Sequence, residues 1–288
     1  MRILLAEEEY QVEKSVTLAS LAKLHKPGAN VFILNGFPVS PDTRVREGDC
    51  VVLIQKGELP KREELEALLH SRHTPGIADR LKAATVGIAG LGGLGSAVAL
   101  ALARVGIGKL LLVDYDVVEP SNLNRQHYFI DQLGEAKTRA LSRTLRQVNP
   151  FMELETHQTE VTRESALELF RDCEVVVEAF DRAEAKYMLI ETLLEQAPET
   201  FVVAGSGMAG YGHSNELRVR QAGRLFVCGD EKREAKPGRG LMAPRVGIAA
   251  HLQANTVMEI LLDHMGPQEE VKRSKGSKDS RDQGEKSC

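Results

Sequence analysis

The chain opens with short apolar runs separated by turns. Met1–Leu5 reads as a strand, and Thr17–Leu24 as a helix with Leu18, Leu21 and Leu24 on one face and Ser15 or Thr17 as its cap. Pro27-Gly28 stops that helix. Val31–Asn35 then reads as a strand, Asn35-Gly36 as a hairpin turn and Phe37–Val39 as the return. Glu47-Gly48-Asp49 is a turn before a last apolar strand, Cys50–Ile54. The predicted order is strand, strand, helix, strand, strand, strand, a small domain over residues 1–58. Residues 59–78 form a connector, with Lys61–His70 a charged amphipathic helix carrying Leu65, Leu68 and Leu69.

From residue 79 the periodicity alternates. Strands are predicted at Thr85–Ala89, Lys109–Asp114, Glu153–Thr156, Glu174–Glu178 and Phe201–Ala204. Helices are predicted between them at Ser96–Val105, Glu135–Val148, Arg163–Phe170 and Arg182–Gln196. Such alternation means βαβ units, so the fold class is α/β: a Rossmann-like, mainly parallel sheet with helices on both faces. Glu216–Arg220 and Arg224–Cys228 flank Ala222-Gly223 as an antiparallel hairpin, and Val246–His264 is a long helix. This domain spans 79–266. Residues 267–288 are charged and lack apolar spacing, so a disordered tail is expected.

Composition narrows the function. Of 288 residues, 42% are hydrophobic and 27% charged, an ordinary globular balance. No apolar run approaches the ~20 residues of a membrane helix. A net charge of −4 argues against a dedicated nucleic-acid binder, and the absence of Trp argues against base-stacking platforms. Met1–Leu5 meets Glu7-Glu8-Glu9 at once, so no secretory signal is read and the cytoplasm is the default. Cys50, Cys173, Cys228 and Cys288 make no CxxC pair, so no zinc knuckle is expected.

The chemistry begins at Gly90-Leu91-Gly92-Gly93-Leu94-Gly95, which follows a strand and precedes a helix. Glycines there allow a tight turn and bring backbone N–H groups up to a phosphate. Gly90, Gly92, Gly93 and Gly95 are therefore nucleotide-site candidates. Asp114, about 20 residues on, ends the next strand where a carboxylate takes ribose hydroxyls. Asp116 is either a turn residue or part of the site. To this point NAD and ATP fit equally.

The next residues separate them. A hydride-transfer enzyme has no use for a cation pair just beyond the ribose acid, whereas a triphosphate does. Arg125 and Lys137 can neutralise phosphate oxygens and the charge developing at the α-phosphorus. Asp181 follows a strand on the ligand side of the sheet and suits Mg²⁺ held with phosphates. Singly, each reads as a surface charge or helix cap; in this order they reinforce one another.

Gly90–Gly95, Asp114, Ser121–Gln126, Lys137 and Asp181 resemble the motif set of the ThiF/MoeB family, relatives of ubiquitin-activating enzymes, over roughly Arg72 to His264. Gly205–Gly212, Glu234–Gly238 and Pro244–Gly247 resemble a ThiF-like subgroup of thiamine biosynthesis. The resemblance implies ATP-dependent adenylation of the C-terminal carboxylate of a ThiS-like sulfur carrier, with Mg²⁺ and release of pyrophosphate. It implies that Asp114 binds ribose, that Asn122, Arg125 and Lys137 contact the triphosphate, and that Asp181 binds Mg²⁺. It also implies a homodimer and an arginine reaching the partner's phosphates, for which Arg72 is the nearer match and Arg80 the rival. Carriers of molybdopterin type, a modified tRNA base, or a non-catalytic nucleotide-binding adaptor are the alternatives.

Residues 1–58 resemble a ThiS-like β-grasp domain through Ile33-Leu34-Asn35-Gly36 and Glu47-Gly48-Asp49. A working carrier ends in Gly-Gly, but here the position reads Lys56-Gly57-Glu58 and the chain continues. A separate carrier is therefore the expected partner, and this domain a docking element, dimer element or relic. The zinc-binding CxxC pairs of many family members are absent, so no zinc is expected. The loop Lys236–Pro244 has no cysteine, and Cys228 reads as a small hydrophobe at a strand end, so no covalent thiol step is expected. His127, His213 and His251 lack ligand spacing and read as structural.

Overall fold

The computed structural model describes residues 1–264 apart from Glu7, Leu59, Lys61 and Pro75. The expected tail and the last two residues of the large domain lie outside the described residues. The N-terminal unit runs β1 (Arg2–Leu5), β2 (Glu8–Gln11), α1 (Leu18–His25), β3 (Val31–Leu34), β4 (Phe37–Pro38) and β5 (Cys50–Ile54). Thr17 caps α1 by accepting from the Ser20 N–H. The sheet order is β2-β1-β5-β3-β4, with β1 and β5 parallel. Ile3, Leu5, Leu18, Leu21, Val51 and Leu53 form the core between sheet and α1.

The connector supplies α2 (Arg62–His70) and α3 (Ala78–Ala83). The large unit follows as β6 (Thr85–Ala89), α4 (Gly93–Val105), β7 (Lys109–Val113), α5 (Lys137–Val148), β8 (Glu153–His157), α6 (Arg163–Phe170), β9 (Val175–Glu178), α7 (Ala183–Gln196), β10 (Phe201–Gly205), β11 (Arg218–Ala222), β12 (Leu225–Gly229) and α8 (Ala243–Glu259). A π-helical turn, Ile260–His264, extends α8. The sheet order is β11-β12-β10-β9-β6-β7-β8, parallel except for β11. No helix among the described residues is long and apolar enough to cross a membrane.

Period-2 alternation divides the strands between two layers. Val86, Ile88, Leu110, Leu112, Val175 and Val177 pack with α4, α5 and α8 on one face. Ala89, Leu111, Val113 and Val176 pack with α6 and α7 on the other. Several boundaries differ from the sequence reading: α5 begins at Lys137 rather than Glu135, and α8 at Ala243 rather than Val246. The hairpin sits two residues later on its first strand and one later on its second. Helix α4 begins at Gly93 rather than Ser96, so the last glycines of the loop belong to its first turn.

The small unit is fastened to the end of the large sheet where strands begin. Glu66 of α2 pairs with Lys82 of α3 at 3.2 Å. The His70 ring lies so close to Gly106, between α4 and β7, that a Cβ there would stand 2.1 Å from its Cε1. The Asn35-Gly36 turn meets the His73 carbonyl, 2.8 Å from where a Gly36 Cβ would be. The segment after β5 is also held down. Lys56 N–H donates to Asn30 Oδ1 at 2.9 Å, and Glu58 pairs with Lys26 at 3.5 Å.

Gly95 fixes how closely α4 approaches β6. A Cβ there would lie 1.9 Å from the Gly90 carbonyl oxygen. Alanine is about 1 kcal/mol better than glycine inside a helix, but a contact with backbone at that distance forces α4 outward. Gly95→Ala is expected to lose about 1–3 kcal/mol of stability, the cost of overpacking. A raised thermal midpoint in the variant would contradict this.

Candidate active site

At the carboxyl ends of the parallel strands lies a cavity of about 500 Å³. Ligands of open α/β sheets bind at that end. The glycine loop forms its floor. Gly90 takes the left-handed conformation at φ +88°, and a Cβ there would meet the Ala179 carbonyl at 2.9 Å. Leu91 N–H donates to Asp114 Oδ2 at 2.6 Å, and Tyr128 O–H donates to the Leu91 carbonyl at 2.8 Å. The loop is thus held from both sides. The first turn of α4 presents amides that have no acceptor within the helix.

Asp114 is 8% exposed. Its Oδ1 accepts from the Asp116 N–H at 2.8 Å, so each carboxylate oxygen has one protein donor and spare lone pairs facing the cavity. Asp116 lines the cavity: its Oδ2 accepts from the Lys137 ammonium at 2.7 Å, while Lys137 stands 3.9 Å from Asp114 Oδ2. Arg125 is aimed by its own loop, donating to the Ser121 carbonyl at 3.1 Å and to Asn124 Oδ1 at 2.9 Å. Arg125, Lys137 and Asp181 all line the cavity with Gly90, Gly92, Gly93, Asp114 and Asp116.

Two expected contacts do not reach it. Gly95 is buried in the first turn of α4, against the Gly90 carbonyl, where it serves packing. Asn122 is also buried and outside the cavity wall. Its Oδ1 accepts from the Glu119 N–H at 3.0 Å, and its carbonyl accepts from the Arg125 and Gln126 N–H groups. Asn122 therefore shapes the turn that carries Arg125. The two rival arginines separate as well. Arg80 donates to Glu174 at 2.5 Å beside the start of β6, at the far end of the sheet from the cavity. Arg72 is exposed and lies outside its own chain's cavity.

Residues that sequence reasoning passed over complete the wall. Lys186 donates to both oxygens of Glu178 at 2.9 Å and to the Gly205 carbonyl at 3.1 Å. Glu178 is fully buried; burial pushes its carboxyl up, and Lys186 pulls it down. Gln126 lines the cavity, and its buried Oε1 has no partner among the described residues. The sequence offered Gln126 only as the last residue of the Ser121–Gln126 run, with no role of its own. Lys186 lies in the first turn of α7, just after the loop that carries Asp181.

The crossing segment after β12 also contributes. Arg233, Glu234 and Ala235 line the cavity. Burial raises the Asp230 carboxyl, but Arg233, the backbone N–H groups of Lys232 and Arg233, and Arg245 outweigh that and hold it well below the usual range. Cys228 is buried against Thr256, and burial pushes its thiol up to about 11. That is the environment of an inert thiol. His127 is lowered by burial and by neighbouring His251. No cluster of three metal-ligating side chains occurs among the described residues.

The family model described as ThiF matches residues 67–281. The chain belongs to the ThiF family. A second model, a ThiS-like ubiquitin, matches residues 1–57, which fits the β-grasp order of the small unit. Among curated relatives, ubiquitin-like modifier-activating enzyme 5 of Branchiostoma floridae is 32% identical over 215 residues, covering 65% of this chain and 53% of the relative. Adenylyltransferase and sulfurtransferase MOCS3 of Dictyostelium discoideum is 33% identical over 186 residues, covering 62% and 43%. The chain thus spans about half the length of these curated relatives. Among solved structures, the E. coli tRNA N6-threonylcarbamoyladenosine dehydratase TcdA in complex with ATP aligns with TM-score 0.62 at 20% identity, over 68% of this chain and 93% of that one. E. coli MccB with ATP aligns with TM-score 0.52 at 24% identity, over 72% and 64%. Both likenesses are of fold.

The Glu178–Lys186 pair yields a stability prediction. Lys186→Met leaves a carboxylate buried without its cation, at a cost of about 3–5 kcal/mol near neutral pH. The Glu178 carboxyl then titrates higher in the folded protein than in the unfolded chain. The folded state binds the extra proton, so stability falls as pH rises above the unfolded value of about 4.3. Urea unfolding at pH 5 and pH 8 should show a wider gap from the parent at pH 8. An equal gap at both would refute this account.

Proposed function

We propose that this protein adenylates the C-terminal glycine carboxylate of a separate ThiS-like sulfur carrier, using ATP and releasing pyrophosphate, as a cytoplasmic step of thiamine biosynthesis. The observation that carries the reading is the convergence of Arg125, Lys137 and Asp181 on the cavity that already holds the glycine loop and Asp114. ATP fits this donor set. The cavity volume suits a nucleotide, the loop amides suit phosphate, and Asp114 retains acceptors for ribose hydroxyls.

In the reaction, a carboxylate oxygen of the carrier attacks the α-phosphorus. The new P–O bond forms as the bond to the β-phosphate bridge breaks, and the electron pair leaves on pyrophosphate. No proton transfer is required. Arg125 and Lys137 provide cationic charge beside the phosphates, and the carboxylate of Asp116 positions Lys137. Asp181, an exposed carboxylate on the wall, would hold Mg²⁺, which neutralises phosphate charge when bound. The wall from Ser206 to Ala209 and Arg233 to Ala235 is a path for an extended Gly-Gly tail. In a homodimer, Arg72, exposed outside its own cavity, would serve the partner's site.

Pyrophosphate exchange into ATP should depend on a Gly-Gly-ended ThiS-like protein and fall at least about 100-fold in Arg125→Ala, the range for removing one transition-state donor. ATP binding without carrier-dependent exchange would move the assignment to another substrate or to an adaptor. The buried thiol gives a companion expectation. Cys228→Ser should retain exchange within about twofold of the parent, and its loss in a folded variant would mean that a thiol takes part.

A further inference from the structure

A second concavity, of about 710 Å³, lies between α5 and the edge strand β8. Its wall includes Arg139, Arg143 and Arg146. Spacings of four and three residues place them along one face of α5. At 1.5 Å per residue the row is about 10 Å long. Arg143 is engaged by Glu135 at 2.8 Å and Asp131 at 3.5 Å. Arg139 and Arg146 make no ion pair or hydrogen bond among the described residues. A local basic row on a chain of net charge −4 is not a by-product of general basicity.

The floor of the groove supplies an independent observation. Thr138 and Ser142 line it and are each only 4% exposed. Neither hydroxyl has a hydrogen-bond partner among the described residues. A buried hydroxyl in a helix ordinarily bonds back to the carbonyl four residues earlier, as Thr144 does to Ala140. Two uncommitted guanidinium groups and two uncommitted hydroxyls lining one groove make a donor set for anionic oxygen. Guanidinium forks match phosphate oxygens in pairs, and the hydroxyls can complete the shell of an oxygen seated at depth. Side chains that are only 4% exposed are reached by a small ligand more readily than by the face of a folded partner.

We propose that the α5–β8 groove binds a phosphate-bearing small molecule at a site separate from the nucleotide cavity. The two sites are neighbours. Ala136 and Gln158 line the groove, and the next residues, Lys137 and Thr159, line the cavity. The assignment does not depend on the adenylation reading, because it concerns binding alone.

The test is titration calorimetry of the full chain with inorganic pyrophosphate as the probe. Two sites are expected. Arg125→Ala should weaken one of them. Arg139→Ala/Arg146→Ala should weaken the other at least tenfold while leaving ATP affinity within twofold. Thr138→Val/Ser142→Ala should weaken that same site severalfold, with thermal melts confirming that each variant is folded. A single site, sensitive to Arg125→Ala and indifferent to Arg139→Ala/Arg146→Ala, would overturn the proposal. So would a short single-stranded RNA that binds through Arg139 and Arg146 where pyrophosphate does not.

Discussion

The carboxylate of Asp114 is the point on which the site depends. One oxygen holds the Leu91 N–H and so fixes the glycine loop; the other holds the Asp116 N–H and so fixes the loop after β7. Asp116 in turn holds Lys137 at the start of α5. Two consecutive βα connections, β6–α4 and β7–α5, are thereby tied through one buried side chain. Such a network is rigid when complete, because every buried polar group has its partner. It also explains how a cavity walled largely by loops can present a defined set of donors.

Burial sets a second constraint, at Glu178. A carboxylate at full burial is tolerated because Lys186 meets both oxygens and the Phe180 N–H meets one. The same bonds place Lys186 against the Gly205 carbonyl, so β9, α7 and β10 converge on one charge pair. Gln253 of α8 donates to the Glu178 and Val203 carbonyls from the other face of the sheet. The ends of these strands are thus cross-linked by polar groups just beneath the cavity, where apolar packing alone would leave backbone groups unmatched.

The alternation of strand and helix, the glycine loop and the order Asp114, Arg125, Lys137, Asp181 were all legible in the sequence. Each rests on local chemistry: period 2 against period 3.6, φ > 0 at Gly90, charge placed after a strand. What was not legible depends on distance in space. Asn122 stands two residues from Asn124 in the chain, yet only the fold reveals that its amide is consumed by its own turn. Gly95 looks like its loop neighbours, but the approach of α4 to the Gly90 carbonyl makes it a packing residue. Arg80 reads as connector charge until Glu174, 94 positions away, claims it. The pairing of Glu178 with Lys186 was closest to view, since eight residues across a strand end and one helix turn suffice to join them.

The β-grasp unit is anchored where the strands of the large sheet begin, and the cavity opens where they end. Five residues of parallel strand span about 16 Å, and the segment leaving β5 is fastened and runs on into the connector. The covalent joining of the two units therefore supplies no effective concentration at the cavity; a tether helps only when it lets its cargo reach the site. On the adenylation proposed above, the carrier would arrive by diffusion from another molecule. The encounter would then be second order overall, first order in the carrier and first order in this chain, and one copy could serve many carriers in succession without altering its own N-terminal unit.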